Sequence, residues 1–494
     1  MGSDYQLHIF FFPFMAHGHS IPIIDMARLF AARGTKSTII TTPLNAYFFS
    51  DTLDRDRQKG LDISLQVIQF PSAQVGLPEG CESVESITTI DMLVNFFEAT
   101  TKLQQPFEQL LKKHQPDCII SDMFFHWTTE LASKHGIARL VFHGMSYFPL
   151  SLFENIKRYA PYENIASDSD VFVVPGLPDQ IEMTKAQLPD HIVARNAISD
   201  MMEVINETEL KSFGIVVNTF YELEPAYAEY YKNEMGRRAW NIGPVSLYNI
   251  NIVDKATRGQ KSSIDEHCCL QWLDDKKPNS VLYVCYGSCS RFSSNQLLEI
   301  AMGLEASEIP FIWVIKTPRN NEKEQFLPTG FEQRMKGTGL LIRDWAPQVL
   351  ILDHPAIGGF MTHCGWNSTL EGVSAGVTFI TWPVFADQFN NEKFITQVLK
   401  IGISAGNEVW NSWVEPENVM VKREMIEKVV TQLMSHGEEA DEMRNRAKEL
   451  GEIAKRTVEE GGSSYTNLTD LIEKLREHKS IHTSQRSKEK AINK

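Results

Sequence analysis

Residues 357–382 read IGGFMTHCGWNSTLEGVSAGVTFITW, an order that leaves the chain little choice but a parallel sheet. IGGFMTH (357–363) is a short apolar run of strand character, NSTLEGVSA (367–375) has the composition of a helix, and VTFITW (377–382) is a second strand. Two strands joined by one helix run parallel, so their carboxyl ends share one edge of the sheet. The turn His363-Cys364-Gly365-Trp366-Asn367-Ser368 therefore opens a helix at that edge, where unpaired N–H groups and the helix dipole favour a phosphate. Asn367 and Ser368 fall in the first turn, and Glu371 lies one turn further along the same face. That spacing suits a diphosphate at the helix tip with a ribose diol beside it. Trp345, ahead of the first strand, is placed to stack on a flat base. Asp387 and Gln388 follow the second strand at the same edge, placed to hydrogen-bond a sugar.

A second constellation lies near the start of the chain. LHIFFFPF (7–14) is an apolar strand, followed by Met15-Ala16-His17-Gly18-His19-Ser20 and a helix IPIIDMARLFAARG, for which Ser20 is the expected N-cap, with Pro22 in the first turn. His19 thus falls at a strand-to-helix junction, and neutral imidazole suits a base that must deprotonate a hydroxyl near pH 7. His17, two residues earlier, is the rival base. A metal site at the pair lacks third and fourth ligands at usual spacing. Asp122 ends the strand DCIIS (117–121); by itself it reads as a strand-end or N-cap residue, and beside a histidine as the carboxylate that orients it. SVLYVCYGSCSRFS (280–293) is a third piece, a strand with a tight Gly287-Ser288 turn; it is either a plain strand-loop or a place where backbone approaches phosphate.

The stretch 345–388 resembles the donor-binding signature of plant family-1 UDP-dependent glycosyltransferases of secondary metabolism. Trp345-x2-Gln348, the HCGWNS run at 363–368, Glu371, Trp382-Pro383 and the terminal Asp387-Gln388 carry the match, and the likeness extends over roughly residues 7–475. It implies the GT-B architecture, two Rossmann-like domains facing a cleft. It further implies that Trp345 stacks on uracil while the Ala346 backbone reads its edge. Gln348 and Glu371 would hold the ribose, His363, Asn367 and Ser368 the diphosphate with the turn at Gly365, and Trp366, Asp387 and Gln388 the sugar. Ser288 becomes a diphosphate contact, His19 the base and Asp122 its partner. Thr378 stands where many members carry proline, and Asp387 where many carry glutamate; the shorter Asp387 bears on how the sugar hydroxyls are gripped.

The rest of the chain reads as two similar αβ halves. Strands are expected near 7–13, 36–42, 64–70, 117–121, 138–143 and 214–219, then at 280–286, 310–315, 339–343, 357–362 and 377–382. This divides the chain into an acceptor-binding domain (1–244), an exposed polar linker (245–264), a UDP-sugar-binding domain (265–477) and a disordered basic tail (478–494). By the resemblance, the last helix of the second domain returns to the first.

The net charge of −15 argues against a nucleic-acid partner. Seven cysteines without a CxxC pair suggest free thiols in a reducing, cytoplasmic setting. Neither a signal peptide nor an apolar run of membrane length is legible. A nicotinamide dehydrogenase would need GxGxxG after a strand, which does not occur, and for the GxSxG of a serine hydrolase the run Gly144-Met145-Ser146-Tyr147-Phe148 lacks the last glycine.

The expected activity is an inverting, metal-independent transfer with no cofactor beyond the UDP-sugar co-substrate. The expected partners are that donor and a small hydrophobic acceptor, on a monomer. Phe124, Phe125, Met145 and Tyr147 are candidate acceptor-pocket residues. The HGHSIPIIDMARLFAARG and TPLNA segments resemble the branch that glucosylates triterpenoid sapogenins, steroids and flavonoids. Triterpenoids and saponins are the first expectation for the acceptor, flavonoids or isoflavonoids the alternative. Gln388 points to UDP-glucose over UDP-galactose, UDP-glucuronate or UDP-xylose. A non-catalytic sapogenin-binding protein is the alternative of another class.

Overall fold

The computed structural model describes residues 5–316, 326–412 and 421–492. Near-continuous apolar runs such as HIFFF and CIISD are buried on both faces, which only helix-covered parallel sheets require. In chain order the first half contains β1 (His8–Phe12), β2 (Lys36–Thr41), β3 (Ile63–Val67), β4 (Cys118–Asp122), β5 (Ala138–Phe142), β6 (Val171–Val174), β7 (Ile181–Thr184), β8 (Gly214–Val217) and β9 (Ala239–Asn241). Seven of these form a parallel sheet in the order β3-β2-β1-β4-β5-β8-β9, while β6 and β7 make a separate antiparallel hairpin. The second half contains β10 (Val281–Cys285), β11 (Phe311–Ile315), β12 (Gly339–Arg343), β13 (Ile357–Thr362), β14 (Thr378–Thr381) and β15 (Gly402–Ser404), a parallel sheet in the order β12-β11-β10-β13-β14-β15.

Both sheets reverse their winding beside their first strand, between β1 and β4 and between β10 and β13. In open α/β sheets the crevice at such a reversal is where ligands bind. Asp122 ends β4, and the segments following β1, β10 and β13 carry His19, Ser288 and His363. The hairpin β6–β7 and the short edge strands β9 and β15 go beyond the strands expected from sequence. Each has only three or four residues, too few for a period to register.

Three local expectations are corrected. The helix after β1 runs His17–Ala32 with Ala16 at its cap, so Ser20 caps nothing and Pro22 lies inside the helix. Residues 245–264 are not exposed throughout, as expected of a linker, but partly packed. Val245–Tyr248 is a 3₁₀ turn, Ile252–Ala256 a helix, and Asn249 and Asp254 are buried against Arg28 of the first domain. The segment from 478 is helical rather than disordered up to Ile492, as the end of the helix Ser463–Ile492; the last two residues lie outside the described part.

That helix buries Leu468, Leu471, Ile472 and Leu475 in the same cluster as Leu7, Ile9 and Trp240 of the first half, and Trp240 Nε1 donates to Asp470 Oδ2 at 2.8 Å. The first strand and the last helix thus pack on one sheet. Among the described residues no helix is long and apolar enough to cross a membrane.

Candidate active site

The carboxyl edges of the two sheets face one another across a cavity of about 1430 Å³. His19, in the first turn of the helix His17–Ala32, lines it from the first half; Trp345, His363, Asn367, Glu371, Asp387 and Gln388 line it from the second.

His19 Nδ1 lies 2.6 Å from Asp122 Oδ2, which is fully buried at the end of β4. Phe124 N–H donates to the other carboxylate oxygen at 3.1 Å, and Arg139 donates to the Asp122 carbonyl at 3.2 Å. Burial disfavours an imidazolium at His19, but the charge and hydrogen bond of Asp122 outweigh it and raise the pKa above the ordinary value. Nδ1 is thereby the protonated nitrogen, and Nε2 has no partner among the described residues. His17 is different. Its Nδ1 donates to Glu85 at 2.6 Å and its Nε2 accepts from Gln260 at 3.0 Å, so neither nitrogen is left for a substrate.

The wall from the second half is built around the turn at 363–366. Cys364 is left-handed (φ 64°), its carbonyl is held by Asn391 Nδ2 at 2.8 Å, and no side chain caps the helix Trp366–Ala375. Its first N–H groups therefore point into the cavity edge without a side-chain acceptor. The His363 ring packs between Gly287 (φ 75°) and Gly365; a Cβ on either would collide with it. Burial, reinforced by the Lys316 cation, lowers the His363 pKa to about 4, so the ring is a neutral donor or acceptor.

Ser288 Oγ donates to Glu85 Oε1 at 3.1 Å, and Lys316 Nζ donates to the Ser288 carbonyl. Glu85 also takes His17 N–H at 2.8 Å. Burial opposes its ionisation, yet the charge and hydrogen bonds of His17, with a hydrogen bond from Ser83, hold the carboxyl well below the usual range. Gln348 Nε2 donates to Glu371 Oε2 at 2.7 Å and to Ser368 Oγ at 3.1 Å. The Trp345 ring lies 5.0 Å from His17, and its Nε1 is buried without a hydrogen-bond partner. Asp387 accepts from Asn391 at 2.8 Å; burial, only partly offset by that bond, lifts its carboxyl to about 6. Gln388 Oε1 accepts from Val384 N at 2.8 Å and Phe385 N at 3.0 Å.

Two contacts lock the halves together at the site. Pro22 has no N–H to give the Gly18 carbonyl, its i−4 partner, and Asn367 Nδ2 donates to that carbonyl instead at 2.5 Å. Trp366 is buried, and its Nε1 donates to the Asn218 carbonyl at 2.7 Å, so the indole joins the domains and only its backbone remains for a sugar.

The acceptor-pocket expectations divide. Phe124 and Met145 line the cavity. Phe125 is core, stacked on Phe12 with centroids 4.0 Å apart, and Tyr147 is 2% exposed at the start of a helix beside Tyr231. Adjacent residues leave a turn in opposite directions, and which one faces the cleft depends on the sheet beneath. Phe14, Leu93, Phe97, Met201 and Met202, none of which stands out in the sequence, complete the apolar wall. Glu85 and Arg258 were equally silent. Lys316 alone left a signal, a cation at the carboxyl end of the strand-like FIWVI.

Comparison with known proteins agrees with this geometry. A family model described as UDP-glucoronosyl and UDP-glucosyl transferase matches residues 183–405. The chain is 52% identical over 472 residues to scopoletin glucosyltransferase of Nicotiana tabacum, covering 95% of this chain and 98% of that one. It is likewise 52% identical over 476 residues to anthocyanin 3'-O-beta-glucosyltransferase of Gentiana triflora (95% and 98%). Among solved structures, Glycyrrhiza uralensis UGT73P12 complexed with glycyrrhetinic acid 3-O-monoglucuronide superposes with a TM-score of 0.93 at 41% identity, over 99% of both chains.

Proposed function

The chain belongs to the plant family-1 UDP-dependent glycosyltransferases, with their GT-B fold, and on that premise we propose that it moves glucose from UDP-glucose to a hydroxyl or carboxyl of a triterpenoid aglycone or its glycoside, with His19 as base. The observation that carries the reaction is the 2.6 Å contact of His19 Nδ1 with Asp122, which leaves Nε2 facing the cavity as the basic atom. The acceptor oxygen attacks the anomeric carbon as its proton passes to His19 Nε2. The bond from that carbon to the diphosphate oxygen breaks on the opposite face, inverting the centre. Asp122 stabilises the imidazolium formed. The helix N–H groups at 366–368, neutral His363, Lys316 and Ser288, whose hydroxyl turns from Glu85 to the phosphate, receive the charge on departing UDP. These groups supply the stabilisation a metal would otherwise give. Trp345 and Ala346 take uracil, Gln348 and Glu371 the ribose, and Asp387 and Gln388 the hexose.

A triterpenoid is favoured by the breadth of the apolar wall and by the solved relative that holds glycyrrhetinic acid 3-O-monoglucuronide, a triterpenoid already bearing a sugar. Flavonoids are the second reading, favoured by the anthocyanin relative. Action as a cytoplasmic monomer belongs to the same proposal, since both walls of the site come from one chain; sedimentation at assay concentration tests the monomer.

The test is a mass-spectrometric transfer assay. UDP-glucose, UDP-galactose, UDP-glucuronate and UDP-xylose are each offered with triterpenoid and flavonoid aglycones, beside His19→Ala. Gain of one hexose on a triterpenoid from UDP-glucose, lost in the variant, is the expected result. Transfer to flavonoids alone moves the acceptor to the second reading.

A further inference from the structure

Arg258 lies in the segment that the sequence presents as a polar linker, yet its side chain is only 10% exposed. Its Nε donates to Asp25 Oδ2 at 2.7 Å and its Nη1 donates to Glu371 Oε1. Asp25 belongs to the helix that begins beside His19, and Glu371 to the helix Trp366–Ala375. One guanidinium therefore joins three elements, the two halves and the connector between them. Beyond it the connector follows the proposed nucleoside wall: Gly259 packs on Trp345, and Gln260 holds His17.

The lone pairs of Glu371 give this contact its meaning. An ionised carboxylate accepts about four hydrogen bonds. Arg258 takes one on Oε1 and Gln348 takes one on Oε2 at 2.7 Å, leaving a position on each oxygen, the pattern that two neighbouring hydroxyls of a ribose match. A planar fork anchored at its other end on Asp25 turns the carboxylate in a way a single point charge would not. Asp25 does not depend on Arg258 alone, because Asn249 Nδ2 also donates to it at 3.0 Å. Loss of Arg258 therefore falls mainly on Glu371.

We propose that Arg258 is a positioning residue for the donor, holding Glu371 in the orientation that receives both ribose hydroxyls. The inference rests on the reading of Glu371 as the ribose-binding carboxylate, and the experiment separates the two. Steady-state kinetics are measured with UDP-glucose and with its 2′-deoxyuridine analogue for the wild type, Arg258→Ala, Arg258→Lys and Glu371→Ala, each checked for an unchanged circular dichroism spectrum.

The wild type is expected to prefer the ribose donor by about tenfold or more in kcat/KM, and Glu371→Ala to lose that preference. Arg258→Ala is expected to bring the preference to within about threefold and to raise the KM for UDP-glucose more than the KM for acceptor. Arg258→Lys, which keeps the charge but not the fork, should fall between the two. An Arg258→Ala enzyme with the wild-type preference, beside a Glu371→Ala enzyme that has lost it, overturns the inference and leaves the ribose reading standing. Retention of the preference by Glu371→Ala overturns both.

Discussion

His19 and Asp122, 103 residues apart in the chain, meet at 2.6 Å across the first two strands of the winding reversal, β1 and β4. The carboxylate raises the pKa of the ring against the effect of burial, and the active form of a base is the neutral ring. Activity should therefore rise with pH through a value above the ordinary histidine value of about 6.5. In Asp122→Asn the imidazolium loses its partner and the pKa falls. The acid limb of the kcat/KM profile should move to lower pH while the plateau drops by about 10²–10⁴-fold. A limb that stays in place would argue against His19 as the titrating group.

Asp387 is a second titratable group in the cavity, and its charge and that of His19 act on each other. Burial lifts its carboxyl to about 6, so it is ionised above that value and protonated below it. If the ionised form grips the sugar, the KM for UDP-glucose should climb as pH falls through about 6, and Asp387→Asn should flatten that dependence. Initial rates across pH 5–8 at saturating acceptor decide the matter.

Pro22→Ala restores an N–H that can reach Gly18 O, the carbonyl now taken by Asn367. The helix gains a hydrogen bond and the contact between domains loses one. The expected outcome is unchanged or higher thermal stability with a several-fold rise in the KM for UDP-glucose, on the scale of one weakened hydrogen bond of about 1 kcal/mol.

Gly287 combines a left-handed backbone with a site where any Cβ collides with the His363 ring. Gly287→Ala should cost about 1 kcal/mol or more in stability and displace the ring. Differential scanning fluorimetry should record a lower melting temperature together with a smaller upward shift on adding UDP.

Chelation tests the proposed electrostatics of departure. With Lys316, Ser288 and the helix N–H groups supplying the positive field, transfer should proceed at an undiminished rate in excess EDTA. A loss that added magnesium or manganese reverses would show that the site needs a metal.

The cavity wall formed by residues 345–388 was legible because its signals are local. A turn that opens a helix after a parallel strand sets the direction of its N–H groups, and Asn367 and Glu371 take their relative places from the helix period alone. The alternation of apolar runs and helical stretches likewise foretold eleven strands of the two main sheets; the short edge strands β9 and β15 and the hairpin β6–β7 lie below what a period can signal.

What the tertiary structure decided is everything set by approach between distant segments. Charged residues at 255–263 read as solvated, but Arg258 is buried because Asp25 and Glu371, from different domains, converge on it. Phe124 faces the cleft and Phe125 the core, although both are aromatic neighbours in one turn. The basic tail read as disordered, yet its helix continues from one whose leucines fill a groove on the first sheet. Composition reports how a residue would behave in water or in a local element. Which neighbour replaces that water depends on the packing of the two sheets, which no local period encodes.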